Sequence, residues 1–153
     1  MIKLIKTNKK TIMNLDRANV TKEQLISTIN EHNNDIQKGF TLMSMLMEMR
    51  AQNHDHSKLE NIDLYHKTFQ NNFTDNKQWR NLHHKEERHH LRDTDNIPDD
   101  VNLIDVMEML IDEVMVGSTF KDKYIHKQVD AELLKKAFDN TATLLLNSME
   151  VSK

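Results

Sequence analysis

From Thr21 onward, Leu25, Ile29, Ile36, Phe40, Met43 and Met47 recur at three- and four-residue steps, with His32 on the same row. Thr21 with Gln24 forms a capping-box signature in front of them, so the spacing predicts a long amphipathic helix that ends near Arg50-Ala51-Gln52-Asn53. The next residues, His54-Asp55-His56-Ser57-Lys58-Leu59, replace the apolar period with a polar cluster, and a turn or a new helix starts there. A weaker helical pattern runs through Leu59, Ile62, Tyr65 and Phe69, and the turn formers from Asn71 to Asn76 close it. A further helix carries Trp79, Leu82, His83 and His84. After a second loop from Asp93 to Asp100, Asn102 or Asp100 can cap a helix holding Leu103, Val106, Met107, Leu110, Ile111 and Val114 and stopping at Gly117. A last helix starts at about Asp130 and repeats apolar residues at Leu134, Ala137, Phe138, Leu145 and Met149. Residues 1–20 show no sustained period and are read as an N-terminal arm or short element ahead of a helical domain at 21–153, with no internal repeat.

Composition narrows this to an all-α chain. Two glycines and one proline in 153 residues are too few for the turns of a sandwich or barrel, and the length suits one domain. The apolar runs are too short to span a bilayer, and the basic start MIKLIKTNKK has no apolar stretch fit for a signal peptide, so a cytoplasmic protein with no membrane partner is expected. With 21 Lys+Arg against 24 Asp+Glu, the formal charge of −3 gives no strong signal for nucleic acid. No cysteine is present, which excludes disulfides, thiolate metal sites and a cysteine nucleophile; any metal must be held by histidine and carboxylate.

The informative feature is where the histidines stand: seven of the nine fall between His54 and His90. Imidazole and carboxylate together suit Mn, Fe, Co, Ni or Zn better than calcium. His54 and Asp55 are adjacent and can meet one ion only if the backbone departs from a straight helix or the ion lies at a helix end. His32 is 22 residues before His54, about 33 Å along an unbroken helix, so a shared site requires a break near Gly39 or a change of direction at Ala51–Asn53. His83, His84, His89 and His90 can come together if the chain turns within Lys85-Glu86-Glu87-Arg88. Asp105, Glu108 and Asp112 share one face of their helix and make an acidic stripe that needs a cation. Taken singly, each histidine is more often a surface or satisfied core residue than a ligand, an acidic row is usually solvated, and the ten methionines read as adaptable core filling.

Taken together, the order His32, His54-Asp55, histidines at 83 to 90, then Asp112 resembles the H…HD…H…H…D pattern of HD-domain metal-dependent phosphohydrolases. More closely, His54-Asp55-His56-Ser57-Lys58-Leu59, His83 through His89-His90, and the Asp105 to Asp112 helix resemble a largely phage-encoded family of small helical HD-like proteins. That family's motifs are HDxSK(L/F), HYxxNxHH and DxxEMxxD. The likeness runs from about His32 to Asn140-Thr141-Ala142. Glu87 stands where that family has Asn, His84 where it has Tyr and Glu113 where it has Trp, and a His a few residues beyond the double His is missing.

The resemblance implies an all-α, single-domain helical bundle of HD-domain type with about five to six helices and one or two divalent ions. His32, His54, Asp55 and Asp112 are the implied ligands of the first ion, and His83 and His89 those of a second, with His90 the alternative to His89. The expected activity is hydrolysis of a nucleotide or other small phosphorylated metabolite by metal-activated water. Asp55 bridges ions or orients the water, Lys58 meets a phosphate oxygen, and Glu108 orients a ligand or acts as a base. Two other classes stay open: a non-catalytic, metal-stabilised phage accessory or binding protein, and a di-iron oxygenase of HD-like fold. His56, His66 and His126 are left without a role.

Overall fold

The computed structural model describes residues 3–6, 11–74, 76–92, 97–118 and 129–151. Its architecture is all-α, with six α-helices among the described residues: α1 (Lys22–Gln52), α2 (His56–Glu60), α3 (Ile62–Gln70), α4 (Lys77–Glu86), α5 (Leu103–Ser118) and α6 (Ala131–Ser148). No helix among these residues is long and apolar enough to cross a membrane.

The helix starts follow from their caps. At α1 the capping box closes in both directions: the Gln24 amide donates to Thr21 Oγ1 at 3.2 Å, and the Thr21 amide donates to Gln24 Oε1 at 3.0 Å. Asn102 caps α5, its Oδ1 accepting from the Ile104 amide at 2.9 Å, and Asp130 caps α6, its Oδ2 accepting from the Leu133 amide at 3.0 Å. Each cap satisfies one of the amides that a helix N-terminus leaves without an internal acceptor.

The chain forms two compact units, residues 1–46 with 142–153, and residues 47–141. In the first, strand β1 (Leu4–Lys6) pairs in parallel with β2 (Met149–Val151), Ile5 opposite Glu150. Lys38 Nζ donates to the Ile5 carbonyl at 3.0 Å, and Lys3 pairs with Glu150. The strands were not expected from the sequence, since three residues a side carry no readable alternation. In the second unit, Leu91, Val101, Met109 and Leu133 form the buried core, with Ile97, Val106 and Val129 packed against it. Asn140 ties the loop ahead of α5 down, its Nδ2 donating to the carbonyls of Asp99 at 3.0 Å and Val101 at 2.8 Å.

One expectation is corrected by α1. It runs from Lys22 to Gln52 as one helix, with no break at Gly39. The change of direction comes after it, in the turn from Asn53 to Asp55.

Candidate metal centre

The site is built where α1 stops. Asn53, His54 and Asp55 form a turn between α1 and α2, and Asp55 takes a left-handed backbone, φ 57° and ψ 21°. A non-glycine residue in this region is uncommon, aspartate is among those that tolerate it, and such residues gather at functional sites. The departure from straight helix that two adjacent ligands require is therefore present at this residue.

Asp55 shows its two carboxylate oxygens to different partners. Oδ2 lies 3.5 Å from His54 Nε2 and takes a hydrogen bond from Lys58 Nζ. Oδ1 lies 3.4 Å from His83 Nε2 and 3.7 Å from His89 Nε2. His54 Nε2 is also 3.5 Å from Asp112 Oδ1. Two sets of ligand atoms result, each within 4.8 Å of one another: Asp55, His83, His89 and His90, and His54, His89 and Asp112. With metal–ligand bonds of about 2.1 Å, neighbouring ligands on one ion stand roughly 3.0 to 3.4 Å apart and opposite ones about 4.2 Å, so these spacings are close to those around an ion. They are too long for hydrogen bonds.

The polar atoms fit that reading. Among the described residues the buried side-chain atoms without a hydrogen bond are Asp55 Oδ1, His89 Nδ1, His90 Nε2 and Glu108 Oε2, all in this cluster. Two of them have a group of complementary type nearby: His89 Nδ1 is 3.2 Å from Glu108 Oε1, and Glu108 Oε2 is 3.3 Å from Arg50 Nε. Asp55 Oδ1 and His90 Nε2 stay exceptions to the rule that buried polar groups are paired. The donor set of four histidines and two aspartates suits a first-row divalent ion.

The outer nitrogens of the same rings are anchored. Glu108 Oε1 is 2.9 Å from His54 Nδ1, so one oxygen faces the Nδ1 atoms of both His54 and His89 while their Nε2 atoms face Asp55. His83 Nδ1 shares a 2.8 Å hydrogen bond with Ser57 Oγ, whose residue is fully buried, and the Ser57 amide donates to Glu87 Oε1 at 2.8 Å. Carboxylates and hydroxyls in these positions fix ring orientation and tautomer.

Protonation divides along the same line. Burial pushes His83 down to about 4, with Asp55 resisting and Lys58 adding to the effect. Burial takes His90 down to about 3, helped by the neighbouring His89, His84 and His83. Burial also opposes charge on His54, yet the hydrogen bond to Glu108 and the carboxylates of Asp55 and Asp112 outweigh it and raise its pKa. For Asp55, burial works upward, but the hydrogen bond and charge of Lys58 hold the carboxyl below its ordinary value. Glu108 is likewise held low, the pull of His89 and His54 exceeding the cost of burial.

The acidic stripe on α5 is not one feature. Asp105 is fully buried, and its cation is guanidinium: Arg88 reaches it from Nε at 2.9 Å and Nη2 at 2.8 Å, and Arg50 Nη2 at 3.1 Å. This fork also binds Asp100 and keeps the Arg88 pKa raised. Glu108 and Asp112 turn to the histidines instead.

Of the residues expected from the sequence, His54, Asp55, His83, His89, His90 and Asp112 are brought together, with Lys58 and Glu108 beside them. His32 is in the first unit, on α1, and belongs to neither set. His56 and His66 are in neither set, and His126 lies outside the described residues. Sequence reasoning missed Ser57, Arg50, Arg88 and the structural part of Asp105; the only signal was the Ser of His54-Asp55-His56-Ser57.

No family model matches the chain, and no curated protein or solved structure matches it.

Proposed function

We propose that the chain is a metal-dependent phosphohydrolase acting on a nucleotide or other small phosphorylated metabolite. The observation that carries this reading is Asp55, a half-buried carboxylate with one oxygen facing His54 and the other facing His83 and His89, the latter oxygen being without a hydrogen bond. An unpaired buried oxygen costs about 1–3 kcal/mol, and an ion shared with His83 and His89 removes that cost. The HD-like order of residues described above supports the same reaction class.

His54, Asp55 and Asp112 would hold one ion, and Asp55, His83, His89 and His90 another. Held there, a divalent ion lowers the pKa of water and polarises a phosphoryl oxygen. The chain's own residues prepare this. Because His83 stays neutral to about 4, its Nδ1–H can donate to Ser57 Oγ and leave the Nε2 lone pair facing Asp55. Glu108 is a positioning residue: its Oε1 is taken up by His54 Nδ1, which fits an orienting role better than that of a base. Lys58 Nζ sits on the outer oxygen of Asp55, where its charge can be shared with a phosphate oxygen.

Exposure supports catalysis over a purely structural metal site. The side chains of Asp55, Asp112 and Lys58 are 22%, 30% and 33% exposed, so water and substrate reach the carboxylate side of the cluster, whereas structural sites are closed.

The test is metal analysis of the purified protein with phosphate release from a panel of esters in Mn, Co and Fe. Asp55→Ala is expected to lose bound metal and on the order of 100-fold or more in activity. Activity equal to that of the parent contradicts the reading. Bound iron with oxygen consumption and no phosphate release points to oxidation instead.

A further inference from the structure

Beside the metal centre, and within the same unit, lies an apolar recess of about 230 Å³. One wall is the end of α1, through Met47 and Ala51. The other is α5, through Ile104, Met107, Ile111 and Met115. His54, Glu108 and Asp112 form its polar end together with Arg50, so the recess and the candidate metal ligands share residues. The two rows on α5 explain this arrangement. Positions 104, 107, 111 and 115 step along the helix by three and four, beside the row of 105, 108 and 112 that carries the carboxylates.

We propose that this recess receives the leaving group of the substrate, and that the substrate is a phosphate monoester of a compact apolar alcohol, aryl or short-chain alkyl. The inference rests on the phosphohydrolase reading above and narrows its substrate class. In the reaction, water adds to phosphorus, the P–O bond to the alcohol breaks, and a proton from the water ends on the alcohol oxygen. The products are inorganic phosphate and an apolar alcohol, and no oxidant or reductant is consumed.

Three observations favour an apolar leaving group over a nucleoside or sugar. First, the six side chains of the two walls offer no hydrogen-bond donor or strong acceptor. Second, three of the four polar groups at the end are already engaged, Arg50 with Asp105 and Glu108 and His54 with Glu108, and the fourth, Asp112, is one of the candidate metal ligands. Ribose hydroxyls or base edges placed there would stay unpaired, at roughly a tenfold loss of affinity or more for each. Third, at about 30 Å³ per water the volume equals some seven or eight waters, room for one ring or a short branched chain. The three methionines provide walls that adapt to such a group and make favourable sulfur contacts with an aromatic ring.

The same methionines report on the test. In protein labelled with 13C at the methionine methyls, both metal-free and Mn-loaded, benzylphosphonate is expected to shift or broaden the Met47, Met107 and Met115 signals, and adenosine 5′-monophosphate to leave those of the metal-free protein in place. Ile111→Asn puts an amide into the recess at a half-exposed position, and it is expected to leave folding and metal content intact, which melting and metal analysis check. It is expected to weaken benzylphosphonate about tenfold and to raise KM for phenyl phosphate by a similar factor, while Ile111→Val keeps both. The parent enzyme is expected to favour phenyl phosphate over adenosine 5′-monophosphate at least tenfold in kcat/KM. Shifts confined to methionines outside the recess, or a preference for the nucleotide, overturn the inference and leave the phosphohydrolase reading standing. Hydrolysis of neither ester overturns both.

Discussion

His54 and His83 face different oxygens of one aspartate, yet their surroundings drive their protonation in opposite directions. His54 has three carboxylates around it, Glu108 on Nδ1 and Asp55 and Asp112 on Nε2, and gains from its charge in spite of partial burial. His83 has a serine hydroxyl on Nδ1, Trp79 stacked on its ring with centroids 5.1 Å apart, and Asp55 shared with the Lys58 ammonium. Desolvation therefore prevails there and keeps the ring neutral. The contrast predicts two unequal metal positions. On the His83 side the neutral imidazoles of His83 and His90 are ready to coordinate, and on the His54 side an ion competes with a proton that the surrounding carboxylates hold more tightly than usual.

The contrast is most strongly tested by removing one ring at a time. His83→Ala is expected to lose the histidine-rich position, with affinity for one ion falling on the order of 100-fold or more and the other ion retained. His54→Ala is expected to do the reverse. Calorimetric metal titrations of both variants check this, and a loss of both ions in either variant would show that the two sets act as one site.

Glu108→Gln comes next in size. It keeps the shape but removes the charge facing His54 and His89, so a 10- to 100-fold loss of metal affinity is expected. The pKa of His54, followed by NMR in the metal-free protein, is expected to fall, since Glu108 contributes both its hydrogen bond and its charge to the upward shift. An unchanged His54 titration would remove Glu108 from the account.

Stability against pH gives a further test. His83 and His90 have folded values of about 4 and about 3 against 6.5 in the unfolded chain. Between these values the unfolded chain binds more protons, so stability falls as pH drops from 6.5 towards 4, by up to about 1.4 kcal/mol per pH unit for each such group. Asp55 and Glu108, whose pKa values are lowered, lose their contributions as pH falls further. His54 has the opposite sign: its raised pKa adds stability that is complete below 6.5 and is lost as pH rises through the folded value. Melting of the metal-free protein is expected to weaken on acidification, with a shallower slope in His83→Gln. A Tm that rises between pH 6.5 and 4 would contradict neutral His83 and His90.

Much of this was legible in the sequence where the signal is local. Thr21 with Gln24 marked the start of α1, Asn102 that of α5, and the change from apolar period to His54-Asp55 the turn at which the left-handed Asp55 sits. What escaped depends on contacts distant in sequence. Nothing in the spacing of Asp105, Glu108 and Asp112 says that the first would be claimed by Arg88 and Arg50 and the others by imidazoles. Likewise no local pattern pairs Leu4 with Met149. His32 entered through its place in a family order, and it is in neither set of ligand atoms.

Whether Asp55 joins two metal positions is read directly by anomalous diffraction from crystals soaked in Mn or Co. Two peaks are expected about 3.5–4 Å apart, one beside His54 and Asp112 and one beside His83 and His89, with a carboxylate oxygen of Asp55 bonded to each. Peaks that leave Asp55 uncoordinated, or none in the cluster at saturating metal, would contradict a joining role for Asp55.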